Sequence, residues 1–416
     1  MIDDFKPDQR PVQPAPKLDN MLGSAEDKNP IAEPAFEAPE TVAAHEAASA
    51  EPPEMLAASQ IKKRPSFLKF KWPPTKKEWL TIAAAVVLLG AGITSFILLH
   101  KTYPVTPVKI TKHKKVVAAP TTVPSNLTGL PVDPSINQRP VTGVMIENST
   151  FARPQSALGQ AGVVFEAIAE GGITRFLALY LDYNPEYVGP VRSVRPYYLQ
   201  WDLGFDAPIA HVGGSPEALQ DIKDWGVKDL DQFSHSGYYQ RISSREAPHN
   251  VYTSIVKLNE LEHAKGYGTS NFSGFARKAE APVKLPTAKT IYMNISSPDY
   301  NVQYNYDYTS NSYKRFVGGA AHIDGNTGGQ LSPKVVIALV IPYNLQSDNK
   351  HSQYGIVGNG QAYIFQDGSV TVGGWSKSAS NAQIVFVDSN NQPVKLNAGQ
   401  TWLTAVSSGD KVSYKP

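Results

Sequence analysis

The sequence predicts an α+β fold, mixed sheets layered with helices, preceded by one transmembrane helix and a disordered tail. Three observations predict it. Trp79–Leu99 is an uncharged run of 21 residues. Residues 138–416 carry short apolar runs between Gly, Asn and Asp turns, with one capped helical pattern and one apolar helical face among them. Residues 1–61 are rich in Ala, Pro, Glu and Asp and poor in aromatics.

The tail, residues 1–61, holds twelve acidic and four basic side chains. Such a segment cannot bury enough apolar surface to offset its ordering entropy, so it is expected to be disordered. Residues 62–78 form a basic segment beside the membrane, with seven Lys or Arg between 62 and 77. The run WLTIAAAVVLLGAGITSFILL (79–99) follows. A helix of that length rises about 30 Å, the thickness of a hydrocarbon core. Trp79 sits at its edge, as interfacial aromatics do. Five Lys lie between 101 and 115, against seven basic residues on the other flank, which favours a cytoplasmic N-terminus and an extracytoplasmic C-terminal domain. The bilayer, with its anionic headgroups, is the expected partner of both basic clusters.

Residues 100–137 read as a basic, Pro-rich linker, with Pro104, Pro107, Pro120, Pro124, Pro131 and Pro134. Beyond it, Val141–Glu147, Gly162–Ala169 and Ile173–Asp182 suit strands. Ser215-Pro216 opens a helix that Gly226 ends, and Ile255, Leu258, Leu261 and Ala264 define one face of another. After Pro286 the segments Thr290–Ile295, Val302–Tyr306, Val335–Pro342, Gln361–Phe365, Ile384–Asp388 and Thr401–Val406 are strand-like. The folded part therefore divides into a mixed α/β stretch (138–283) and a mostly β stretch (284–416) within one architecture.

Composition excludes some chemistry. With no Cys there are no disulfides, thiol nucleophiles or thiolate metal sites. From residue 116 onward 23 basic side chains face 24 acidic ones, a balance that argues against nucleic-acid binding. The polar residues concentrate in the α/β stretch. ENSTFARPQ brings Glu147, Asn148, Arg153 and Gln155 together, and FEAIAEGGITRF adds Glu166, Glu170 and Arg175. GPVRSVRPYY adds Arg192, Ser193 and Arg195; HVGGSPEA adds Gly214 and Ser215; REAPHNVYTS adds Arg245, His249 and Asn250. On a regular strand Glu166 and Glu170 share a face about 13 Å apart. That is too far for a pair acting on one bond, unless a bulge near Gly171-Gly172 intervenes.

Arg153, Arg175, Arg192 and Arg195 would together bind a carboxylate or phosphate, with backbone donors from Gly213-Gly214 and the following helix. A binding module for an anionic or amide-rich cell-wall component is the first expectation. A wall glycan- or peptide-cleaving enzyme, with Glu170 or Glu166 as acid and His249 assisting, is the second. A scaffold joining an envelope partner to a cytoplasmic one through the acidic tail is the third. His322 and Asp324 share a strand face but lack a third ligand, so neither a metal nor a cofactor is expected.

The segments FARPQSALGQAGVVFEAIAEGGITRFLALY, GPVRSVRPYYLQWD, HVGGSPEA, APHNVYTS, YKRFVGGAAHID, GNGQAYIFQDGSVTVGGWSK and LNAGQTW resemble, in order, the YerB-like family of bacterial proteins. The resemblance runs from about 138 to 405. It implies an α+β fold of layered sheets and helices, and an envelope location. It places Asn148, Arg153, Gln155, Glu166, Glu170, Thr174, Arg175, Arg192, Ser193, Arg195, Gly214, Ser215, His249, Asn250, His322 and Asp324 on family-like motifs without giving them roles. Such proteins are usually lipoproteins held by a lipidated Cys; without Cys, this chain is expected to use Trp79–Leu99.

Overall fold

The computed structural model describes residues 75–99 and 121–416. The expected disordered tail (1–61) lies outside the described residues, as does most of the basic segment that follows it. The chain divides into two compact units at Ile110/Thr111.

In the first unit, helix α1 spans Lys76–Leu99. Trp79–Leu99 is long and apolar enough to cross a membrane. Its apolar side chains are exposed all round, Leu80, Leu88 and Leu99 among them, so no single face marks a protein core.

The second unit is a sheet protein with helices. Its principal elements, in chain order, are β1 (Thr142–Glu147), β2 (Val163–Glu170), β3 (Ile173–Tyr180), α2 (Pro196–Leu203), β4 (Ile209–Ala210), α3 (Pro216–Asp224) and α4 (Ile255–Ala264). There follow β5 (Thr290–Met293), β6 (Val302–Asp307), β7 (Ser312–Val317), β8 (Ala320–Ala321) and β9 (Val335–Val340). Last come β10 (Gly358–Gln366), β11 (Ser369–Lys377), β12 (Val385–Asp388), β13 (Thr401–Val406) and β14 (Val412–Lys415).

Nine strands form one mixed sheet in the order β12-β11-β10-β9-β13-β2-β3-β1-β4. Its middle is built from continuous apolar runs. VVIALV in β9 and TWLTAV in β13 are buried almost throughout, as strands covered on both faces must be. The two stretches separated in the sequence at 283/284 meet within this sheet, where β13 runs parallel to β2 with Thr404 beside Glu166. A second sheet, β8-β7-β6-β5-β14, carries Tyr304, Tyr313, Arg315 and Val317 on its buried side.

Residues 121–137 depart from the expected linker. A short pairing of Val123–Pro124 with Pro131–Val132 folds them, and Leu127 is buried. The Arg277 guanidinium donates to the carbonyls of Leu127 (2.6 Å) and Asn397 (2.9 Å), tying this stretch to the far end of the chain. Prolines alone suggested a spacer, but a buried Leu and a two-ended Arg make this stretch part of the fold.

The β2–β3 hairpin turns through Gly171 and Gly172, both at positive φ (55° and 79°), as a two-residue turn of this kind requires. Just before it, pairing slips: Ile168 faces Thr174, but Glu170 faces Ile173. Side chains alternate along a strand, so this bulge turns Glu170 to the face opposite Glu166. The expectation of a shared face is thereby corrected.

Candidate functional site

The two faces of the β1–β3 region carry different polar clusters. On the Glu166 face, the carboxylate is fully buried against the second sheet. Arg315 Nη2 donates to Glu166 Oε2 at 2.6 Å and Trp402 Nε1 donates at 3.1 Å; Thr174 Oγ1 donates to Oε1 at 3.2 Å. Arg315 is itself fully buried, stacked 4.6 Å from the Trp402 ring, and donates Nε–H to Tyr304 OH. Burial beside Arg315 and Arg153 lowers the pKa of His322 well below its ordinary value, so its ring is neutral. Nδ1 then accepts from Arg315 (2.6 Å) and Nε2–H donates to Gln155 Oε1 (2.8 Å). Gln155 Nε2 donates to Asn148 Oδ1, and Asn148 Nδ2 to Thr174 Oγ1, closing the network.

This cluster is a cross-sheet lock rather than a ligand site. Glu166 has no solvent face and its oxygens are filled, which removes it as a catalytic acid. His322 is spent on Arg315 and Gln155. Asp324 accepts from the backbone N–H of Gly159 (2.8 Å) and Asn326 (2.9 Å), so the two residues do not converge. No group of three potential metal ligands occurs among the described residues. Arg153 donates to Asn148 and to the carbonyl of Asp299, with its guanidinium over Tyr300 at 5.3 Å, again joining the two stretches.

The opposite face carries α2, whose Tyr198 hydroxyl donates to the carbonyls of Ala167 and Arg175 and whose Trp201 stacks on Phe165 at 4.9 Å. Here Glu147 and Arg175 are register partners across β1 and β3. Glu170 is clamped by Arg175 (2.6 Å) and Arg195, while Arg175 also donates to the carbonyl of Ser193 (2.8 Å). A carboxylate filled by two guanidiniums is not placed to give a proton, which removes Glu170 from that role too. Three of the four arginines expected to converge are thus committed within the fold.

The donors expected at the Gly213-Gly214 turn are committed as well. Gly213 N–H donates to Asp231 Oδ1, Ser215 N–H to the carbonyl of Val194, and the N–H of Ala218 to Ser215 Oγ, a helix cap. Gly214 bridges Val194. Asn250 accepts from Arg241 and donates to the carbonyl of Ile242, which fixes a local hairpin.

What remains open is a small constellation at the end of β1. Glu147 is 3% exposed. Its Oε1 lies 2.9 Å from His249 Nδ1, and its Oε2 forms an ion pair with Arg192 Nε at 3.4 Å without a hydrogen bond. Ser149 Oγ is 3.3 Å from the same Nδ1. The terminal nitrogens of Arg192 have no hydrogen-bond partner among the described residues, nor has His249 Nε2. The His249 ring helps line a pocket of about 430 Å³ with Phe151, Ser244, Arg245, Glu246 and Ala247. Phe151 stands out into solvent, 76% exposed, its ring 5.5 Å from that of His249. Arg245 pins the Phe151 loop by donating to the carbonyls of Phe151 (2.8 Å) and Pro154 (2.9 Å).

Sequence reasoning found His249 and Arg192 but gave Glu147, Ser149 and Phe151 no role, and passed over Arg315, Tyr304, Trp402 and Thr404. Arg315 had a signal: it alternates with Tyr313 and Val317 on a strand, a charge at a core position.

The architecture defines a two-part α+β domain whose halves interlock in one sheet and through one buried ion pair. The chain belongs to the DUF3048 family. The family's models, described as the N-terminal and C-terminal domains of a protein of unknown function, match residues 127–268 and 291–403. It is 29% identical over 291 residues to "Putative lipoprotein YerB" of Bacillus subtilis (strain 168), covering 69% of this chain and 87% of that relative. The crystal structure of YerB from Bacillus subtilis is similar with a TM-score of 0.64 and 28% identity, over 71% of this chain and all of that one.

Proposed function

We propose that this is a single-pass membrane protein of the bacterial cell envelope. Its N-terminus lies in the cytoplasm, Trp79–Leu99 is the span, and the family domain sits outside. The length and apolarity of α1, and a relative described as a lipoprotein, support the placement. Protease added to intact cells is expected to digest the chain beyond residue 116. Protection of that region would reverse the orientation.

The domain binds an anionic cell-wall component, held by Arg192 and His249 rather than by four arginines. One observation carries this reading: Arg192 alone among those four has both terminal nitrogens uncommitted among the described residues, and one buried carboxylate holds it beside an open histidine. A planar guanidinium fork suits the paired oxygens of a carboxylate or phosphate. The nearby exposed Phe151 offers apolar surface to the rest of the ligand. In calorimetric titration of the full-length chain in detergent with muropeptides, Arg192→Ala is expected to weaken binding by about tenfold or more, as loss of a charge-assisted pair does. Equal affinity in both proteins would remove Arg192 from recognition.

A further inference from the structure

His249 meets both Glu147 and Ser149 through a single nitrogen, Nδ1. A carboxylate only accepts, so Nδ1 carries a proton toward Glu147. In the neutral ring this leaves the Nε2 lone pair free, on a ring that lines the pocket. A buried carboxylate fixing the tautomer and angle of a histidine is the arrangement that general bases use. Ser149 is only 5% exposed and sits at the wrong nitrogen for Nε2 to deprotonate it, so it positions the ring and water is the nucleophile. Arg192 pairs with the second oxygen of the same Glu147 at 3.4 Å, so one carboxylate holds both the histidine and the guanidinium.

We propose that Glu147, His249 and Arg192 form a hydrolytic centre for carboxylic esters. The proposal rests on the anion-binding reading, because the carboxylate product is the kind of anion Arg192 would hold. One oriented histidine favours acyl over phosphodiester chemistry. At a tetrahedral carbon the incoming and outgoing oxygens are neighbours, so one imidazole serves both. In-line displacement at phosphorus sets them on opposite sides.

Water attacks the ester carbonyl carbon as His249 Nε2 takes one of its protons. The carbonyl π pair moves to oxygen, where Arg192 stabilises the oxyanion. Collapse breaks the bond to the alcohol oxygen, which takes the proton back from Nε2. The products are an alcohol and a carboxylic acid, which ionises against Arg192, and the neutral histidine is regenerated. Glu147 stays a carboxylate throughout and is a positioning residue.

The test uses the full-length chain in detergent, with 4-nitrophenyl acetate and the mono-4-nitrophenyl ester of succinate as probes. Turnover is expected to fall about 100-fold or more in His249→Ala, the scale of a lost general base, and to recover when imidazole is added, above the rate of imidazole alone. Glu147→Gln is expected to lower kcat with KM unchanged. Equal rates in wild type and His249→Ala, both with the wild-type melting temperature, overturn the hydrolytic centre. If binding of free succinate is still lost in Arg192→Ala, the anion-binding reading survives that result; if it is retained, both fall together.

Discussion

Arg315→Met is expected to destabilise the domain by about 3–5 kcal/mol, the cost of stranding one partner of a buried ion pair. Both side chains of the Arg315–Glu166 pair are fully buried, so the Glu166 carboxylate left behind would find no water. The same change strips His322 Nδ1 of its donor and Tyr304 OH of the N–H that Arg315 donates to it. Denaturant unfolding followed by Trp fluorescence measures it, since Trp402 lies against the guanidinium. A second substitution, Glu166→Leu, should recover part of the loss by removing the stranded charge. It cannot recover all, because Trp402 Nε1 and Thr174 Oγ1 would lose their acceptor. A loss below about 1 kcal/mol in the single variant would show the pair to be worth no more than a surface bridge.

Glu262→Gln is expected to flatten the pH dependence of stability. Glu262 on α4 is fully buried, with one oxygen bonded to Thr142 (2.8 Å) and the other unsatisfied. Burial raises its pKa from 4.5 to about 8. Between those values the folded chain holds a proton that the unfolded chain has released. The stability tied to this group is therefore complete below pH 4.5 and is lost as the pH rises toward 8. The full excursion is on the order of 5 kcal/mol. Burial also raises Asp202 on α2, with Asp206 and Glu262 nearby, and this acts in the same sense. Melting temperatures from pH 5 to 8.5 should fall in wild type and fall much less in Glu262→Gln. Parallel curves would mean that Glu262 is charged in the fold.

The elements legible in the sequence were those whose local pattern matches their burial. β9 and β13 are apolar runs, α3 opens on the expected Ser215 cap, which accepts from Ala218 N–H, and α4 buries the expected Ile255, Leu258 and Leu261. Helix α2 was not legible. PYYLQWDL buries five of its eight residues and shows no amphipathic stripe, so no apolar periodicity marks it as a helix. The candidate site was half legible for a related reason. Residue type pointed to Arg192 and His249, but local sequence cannot say which arginines are already paired. Glu166 finds Arg315 149 residues away, and Glu147 finds His249 102 residues away. The bulge before Gly171 changed the geometry further, because one slipped residue sends Glu170 to the other face.

The place of β13 beside β2 has a consequence for the order in which the domain can form. Residues 163–170 are synthesised well over two hundred positions before their parallel neighbour, residues 401–406, and β5 waits likewise for β14 at residues 412–415. The first half of the domain therefore emerges as a sheet with an open, apolar edge that nothing nearby in the chain can cover. Such an edge invites pairing with other chains, and distant pairings close slowly. Cooperative folding must wait for nearly the last residue, so a truncation that removes only the final sixteen residues would leave both sheets unfinished, however intact the rest of the chain.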